Sequence, residues 1–458
     1  MNLDGFALPV KKLKGTDPVE MLDLSWKILG VASSVVIASL ISVNGALTVT
    51  NLLGNQLDAE SAKMLAEVAK QKGISLCGIR RDQTTADFSK QNLKPPDAIL
   101  LASDLTQAVV TGGLTSINLS GNHLTNYGTD MTGVKELAAA LGVNGALTVT
   151  NLLGNQLDAE SAKMLAEVAK QKGISLCGIQ RDQTTADFHN KRIQPPDAIL
   201  LASDLSQAVV TGALTSLDLS NNSLCGVNAY GGTYTAEGIT AIADALRVNG
   251  GLTSIDLSRN HLCGIWNDIS FHNQQGTYTA EGITAIANAI RVNGALTSVD
   301  LSENHLTNRG RDMTGIKELA AALVVNGALT ALNLSFNSLR DEGVNAVCEA
   351  IKSNKEIKLA SLNFEDNGIG PVGAKSVAAM VAVTGGLTVA NLLRNQLDAE
   401  SAKMLAEVAK QKGISLCGIQ REQTTADFSK QNLKPPDAIL LASDLSQAVV
   451  TGALTEVR

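Results

Sequence analysis

Gly368, Gly370 and Gly373 spell G-x-G-x-x-G within NGIGPVGAKS, residues Asn367–Ser376. Glycines at that spacing let a backbone approach a phosphate closely, and a helix after them would turn its N-terminus toward the charge. Ala374, between Gly373 and Lys375, leaves the segment one residue away from the P-loop spacing. His123, His261 and His305 each follow an asparagine, and two imidazoles brought together could begin a metal site, though no third ligand accompanies them. Asp218, Asp256 and Asp300 each begin Asp-Leu-Ser. Stacked carboxylates of that kind repel one another and favour a cationic partner. Two short stretches hold Tyr230, Tyr234, Trp266, Phe271 and Tyr278, in a chain with only 4 tyrosines and 2 tryptophans. Trp and Tyr are favoured anchors at protein interfaces. The chain shows no serine–histidine–aspartate set and no pair of carboxylates in a cleft-forming context, so no catalytic residue and no cofactor are assigned.

The elements that must hold these residues follow one pattern. Leu252–Leu262 reads LTSIDLSRNHL, with Leu252, Ile255, Leu257 and Leu262 at the first, fourth, sixth and eleventh places and Asn260 at the ninth. The same register recurs at Leu114, Leu214, Leu296, Leu329, Leu359 and Leu387. The fourth and sixth places flank one outward residue, which is the period of a strand. The ninth-place asparagine both donates and accepts, so it can satisfy backbone groups where the chain leaves the strand. A helical spacing follows each strand, as at Ile239, Ile242, Ala243 and Leu246. One strand-plus-helix unit cannot bury its own apolar face, so neighbours must stack. Stacking about 4.8 Å apart sets Asp218, Asp256 and Asp300 in one column, at the fifth place. Asn367 is itself a ninth place and Ile369 an eleventh, so the repeat register already accounts for the glycine-rich segment. The three histidines take the tenth place and are expected to face solvent.

The pattern resembles leucine-rich repeats, and within them the long, helix-bearing ribonuclease-inhibitor-like class. LDLSNNSL, IDLSRNHL, VDLSENHL and LNLSFNSL carry the resemblance, together with the helix segments VKELAAAL and IKELAAAL. The class includes the sensor regions of NOD-like receptors and Ran GTPase-activating proteins. The resemblance implies an α/β leucine-rich-repeat solenoid, a horseshoe with a parallel inner sheet and outer helices, of about thirteen repeats. A cap segment is expected over 1–18 and the repeat domain over 19–458, with a truncated last repeat at 454–458. A longer period overlies the short one: Val43–Ile79 recurs letter for letter at Val143–Ile179, and a third copy runs from near Thr384 to the end. Within these copies two segments compete for one strand. ISLCGI, from Ile74, Ile174 and Ile414, is preferred as the sheet strand, and ADFSKQNL (Ala86–Leu93) as an edge segment.

The apolar share of 45% and aromatic share of 3% suit a core of Leu, Ile, Val and Ala. The net charge of −7, without a clustered basic face, argues against a nucleic-acid binder. The start is not a signal peptide. Ile28–Val43 is too short for a membrane span and falls where the first repeat's helix belongs. Six cysteines without a paired cap pattern are expected as free buried thiols in a reducing, cytoplasmic setting. The function expected is a non-catalytic protein-binding scaffold with a protein partner. The alternatives are a regulator of a small GTPase or a structural component of a large assembly such as an axoneme. The binding site is placed on two insertions, Cys225–Tyr234 and Cys263–Tyr278, which both return to the helix start TAEGITAIA. Loops are where solenoids usually place recognition. Trp266 and Phe271 are the expected principal contacts, with Tyr230, Tyr234 and Tyr278 beside them and Asp218, Asp256 and Asp300 as the charged neighbour.

Overall fold

A computed structural model describes residues 2–267 and 274–458, Asn267 by its backbone alone. The chain divides into two compact units. One comprises 1–181 with 196–211, and the other 182–195 with 212–458.

In the first unit a hairpin (Asn2–Leu3 with Phe6–Ala7) and a short helix, Val10–Lys14, precede the strand Met21–Asp23. That strand pairs in parallel with Val49–Asn51. The apolar run forms the helix Val31–Ser42 between them. Among the described residues no helix is long and apolar enough to cross a membrane. A second parallel sheet joins Thr85–Asp87, Ser116–Asn118 and Val149–Asn151. In the other unit a seven-stranded parallel sheet orders Thr185–Asp187, Ser216–Asp218, Ser254–Asp256, Ser298–Asp300, Ala331–Asn333, Ser361–Asn363 and Val389–Asn391. A helix lies between successive consensus strands, as Glu237–Val248 and Glu281–Val292 do. This is the α/β leucine-rich-repeat solenoid architecture.

The pattern's leucines fill the core. Leu252, Ile255, Leu257 and Leu262 are all buried. The ninth-place asparagines form a continuous buried ladder. Asn304 donates from Nδ2 to the carbonyls of Leu257 (2.9 Å) and Leu301 (3.1 Å), and its Oδ1 accepts from the Asn260 amide at 3.0 Å. The Asn304 amide in turn donates to Asn337 Oδ1 at 2.9 Å, and the Asn337 amide to Asn367 Oδ1 at 3.2 Å. A second asparagine column, which the pattern did not single out, closes the helix ends. Asn293 donates to the Leu246 carbonyl one repeat earlier at 2.6 Å and accepts from the amides of Ala295 and Leu296. Its signal is the recurring Val-Asn-Gly at Val143, Val248, Val292 and Val325.

The preferred strand assignment inside the long copies is reversed. Thr85–Asp87 and Thr185–Asp187 are the ladder strands, and Thr425–Ala426 pairs with Glu456–Val457. The ISLC segments make single bridges to the preceding strand, Val49 with Ser75 and Asn51 with Cys77. A buried carboxylate is the cause. Asp104, at the end of the helix Pro95–Leu105, accepts the amides of Leu76 (2.8 Å) and Cys77 (3.1 Å) and the Ser75 hydroxyl (2.7 Å). Ser75 Oγ takes the Ile79 amide at 2.9 Å. The donors that would extend the sheet are therefore used by side chains. On the other lip, strand alternation turns the Thr85 carbonyl away from its partner strand, and Gln83 Nε2 donates to it at 2.6 Å. Ser175 with Asp204 and Ser415 with Asp444 repeat the arrangement.

Candidate functional site

The glycine-rich segment is the first candidate to resolve. The Gly370 amide, which would cradle a phosphate, donates instead to Asp341 Oδ1 at 2.7 Å. A side chain at Gly368 would collide with the Arg340 guanidinium, and one at Gly373 with Asp341 and Ile369. The glycines thus admit neighbouring side chains, and a carboxylate stands where an anion would need to bind.

The two insertions fold as antiparallel hairpins on successive repeats. Val227–Asn228 pairs with Gly231–Gly232, and Ile265–Asn267 pairs with Gln274–Gly276. Tyr230 sits at the first tip, 86% exposed. The half-buried Trp266 lies on Gly276, which at φ +84 leaves no room for a Cβ beside the indole ring. The ring edge also approaches Gly231 of the first hairpin. Trp266 Nε1 is buried without a hydrogen-bond partner. Tyr234 and Tyr278 turn back onto the chain. The Tyr234 hydroxyl donates to the Leu262 carbonyl at 3.1 Å, and that of Tyr278 to the Leu306 carbonyl at 2.9 Å. Burial pushes both phenols well above their ordinary range. Both rings therefore tie one repeat to the next. Phe271 lies outside the described residues.

The aspartates stack in register: Asp218 opposite Asp256, and Asp256 opposite Asp300. Asp187 extends the column through its pairing with Asp218. It escaped the sequence reading because its strand was not placed. Each carboxylate has a structural duty as well. Oδ1 of Asp218, Asp256 and Asp300 accepts the amide two residues on, each at 2.8 Å, which turns the chain out of the strand. Asn333 Nδ2 donates to Asp300 Oδ2 at 2.7 Å, relieving one end of the column. Burial, with smaller contributions from Asp300 and Asp218, raises the Asp256 carboxyl above its ordinary range.

Beside the first hairpin an open groove of about 570 Å³ runs across the eighth and tenth places of successive repeats. The tenth-place histidines are half-buried rather than solvent-facing. His261 and His305 stack with ring centroids 5.9 Å apart and planes 14° from parallel. Burial lowers both, His305 to about 4, with His261 and Arg309 adding to the effect there. Arg259 bridges to Glu303 across the same two repeats, at 2.6 and 2.8 Å. Arg394 pairs with Asp366 at 2.9 Å and lies over Phe336, 5.1 Å from its centroid. The sequence register places all these side chains at neighbouring loop positions, but no spacing rule pairs them across repeats. Among the described residues no group of three or more His, Cys, Asp or Glu is placed to hold a metal ion.

Profiles described as leucine-rich repeats match residues 213–231, 328–348 and 357–378. No curated protein matches the chain. Among solved structures, it is similar to the leucine-rich-repeat protein LegL7 of Legionella pneumophila, at 17% identity over 75% of this chain and 82% of that one, with a TM-score of 0.35. It is also similar to a protein of Bacteroides fragilis, at 12% identity over 68% and 65% of the two chains, with a TM-score of 0.29. Neither likeness is close enough to carry a function.

Proposed function

We propose that this leucine-rich-repeat chain is a non-catalytic protein-binding scaffold, and that its partner engages the second unit. The partner meets the two hairpins through Tyr230, Trp266 and Phe271, and its cationic groups face the column Asp218–Asp256–Asp300. The observation that carries this reading is the pair of adjacent hairpins, with Tyr230 at 86% exposure, on repeats whose strands carry carboxylates in register. Tyr234 and Tyr278 act from behind, fixing the hairpins' exits through their bonds to the Leu262 and Leu306 carbonyls. Aromatic anchors with a charged neighbour are the side chains that dominate binding energy at protein interfaces. The six free, buried thiols support an intracellular setting.

The test changes Trp266 and Phe271 together to alanine and repeats affinity capture of partners from native cells. The expected result is selective loss of one partner with little change in melting temperature. Unchanged recovery would remove these loops from the interface. A large stability loss without selective binding loss would assign the rings to covering the solenoid's own edge.

A further inference from the structure

The groove beside the first hairpin holds what the scaffold reading leaves unused. Two imidazoles from successive repeats stack in its floor, 5.9 Å between centroids. The backbone at His261 and His305 is left-handed, with φ of 51 and 57. His261, which lines the groove, buries its Nδ1.

The electrostatics of the groove depend on that pair. The lining carries Arg259, Arg309, Glu303 and Asp366 beside the two imidazoles. Glu303 is held by Arg259 and Asp366 by Arg394. On the strand side the acids Asp187, Asp218, Asp256 and Asp300 stand in one column. Acids thus stand three places before lining residues of the same repeats, Asp218 before Asn221, Asp256 before Arg259 and Asp300 before Glu303, and the groove gains positive charge as the imidazoles take up protons. A neutral imidazole keeps one bare nitrogen that accepts a hydrogen bond, whereas a protonated one only donates.

We infer that the groove is the subsite for a lysine or arginine side chain of a basic partner segment, and that protonation of the His261–His305 stack ejects it. This rests on the scaffold reading and deepens it by giving the partner's charge and the condition under which it leaves. The cation is accepted by a bare imidazole nitrogen and by the outer oxygens of Glu303 and Asp366. Without a partner the stack stays neutral at physiological pH, because burial opposes charge on both rings and Arg309 opposes it on His305. The sign follows. Binding a cation lowers the affinity of the rings for protons, so affinity for the cation falls as pH falls into the lowered range of the two rings, toward about 4 at His305.

The experiment titrates the full chain with a peptide of alternating glycine and lysine, its arginine counterpart and its glutamate counterpart. It is done at constant ionic strength, at about pH 7 and about pH 4, with circular dichroism checking the fold at each pH. The expected result is binding of either basic peptide that is at least about threefold weaker at the lower pH. The double variant His261→Gln with His305→Gln keeps acceptors that do not titrate, and it should bind at neutral pH and lose most of that ratio. Asp256 also titrates upward of its ordinary range, so Asp256→Asn serves as the control: it should weaken binding and lose a smaller part of the ratio than the histidine variant does. An unchanged ratio in the histidine variant overturns the inference, as does a glutamate peptide that binds and tightens on acidification. Failure of both basic peptides at neutral pH also overturns it, while partner capture that still depends on Trp266 would leave the scaffold reading intact.

Discussion

Single buried polar side chains hold this fold together at points where the leucines cannot. Asn304 is fully buried and satisfies groups from three successive repeats. Replacing it with alanine leaves the Asn260 and Leu262 amides without their acceptor, each at a cost of about 1–3 kcal/mol. Asn304→Ala is therefore expected to destabilise the second unit by about 3 kcal/mol, read as a fall in denaturant midpoint, whereas the exposed Tyr230→Ala should shift it by less than about 0.5 kcal/mol. Equal shifts for the two would contradict the ladder's role. Asp204 is a different case. Burial raises its carboxyl to about 7, against the opposing pull of the Leu176 and Cys177 amides and the Ser175 hydroxyl. Between about pH 4 and that value the folded chain keeps a proton that the unfolded chain has released, so this group's contribution falls as pH rises through the window. Asp204→Asn cannot titrate. The difference in stability between wild type and variant should therefore change in the variant's favour from about pH 4 to pH 7.5, by up to about 4 kcal/mol. The lowered histidines act in the opposite sense, since neutral burial of His305 loses stability as pH falls toward about 4. Their effect cancels in the difference. A wild type gaining on the variant as pH rises would reverse the assignment.

At the scale of elements, the breaks in the sheet are the informative feature. ISLC has strand-like residues and touches the preceding strand, yet its amides at Leu76 and Cys77 go to Asp104. Removing that carboxylate should free the segment while leaving the preceding pair, Met21–Asp23 with Val49–Asn51, in place. In Asp104→Ala the amides of Leu76, Cys77 and Ile79 should exchange with solvent at least about tenfold faster, with little change at Val49, whose amide donates to the Glu20 carbonyl on the other side. Uniform acceleration across the unit would mean that the carboxylate supports the whole stack. The hairpins show the complementary device. Gly276 leaves a space that the Trp266 ring occupies, so the indole is aimed by a missing side chain rather than by a hydrogen bond.

At the scale of the molecule, stacking by nearest neighbours makes the long copies interchangeable. Val49–Asn51 and Val149–Asn151 have the same sequence and the same register toward the strand before them. Excising Leu47–Ala146 joins Ala46 to Leu147 and gives the strand Met21–Asp23 an identical partner. Asp197 would then cap the Gly154 amide as Asp97 caps that of Gly54, both at 2.8 Å. The shortened chain should remain soluble and cooperatively folded, with mean residue ellipticity within about 10% of the parent. An insoluble or unstructured product would show that the copies depend on more than their neighbours.

The sequence by itself determined the repeat, its strand-then-helix order, the buried leucines and the ninth-place asparagines that satisfy backbone where the chain leaves the strand. Each of these depends on residues fewer than about a dozen apart, within the reach of strand and helix periodicity. It also placed Asp218, Asp256 and Asp300 in one column, because equal register in stacked repeats fixes which side chains are neighbours. Tertiary structure decided the rest. Whether ISLC or ADF became the ladder strand turned on Ser75 meeting Asp104, a contact spanning 29 residues. Register set His261 and His305 on successive repeats, but that they are half-buried rather than solvent-facing was decided by the packing around them. Tyr234 and Trp266 look alike in a sequence, as aromatics in insertions. A carbonyl within reach of one and a glycine beneath the other separated a structural tie from a candidate contact.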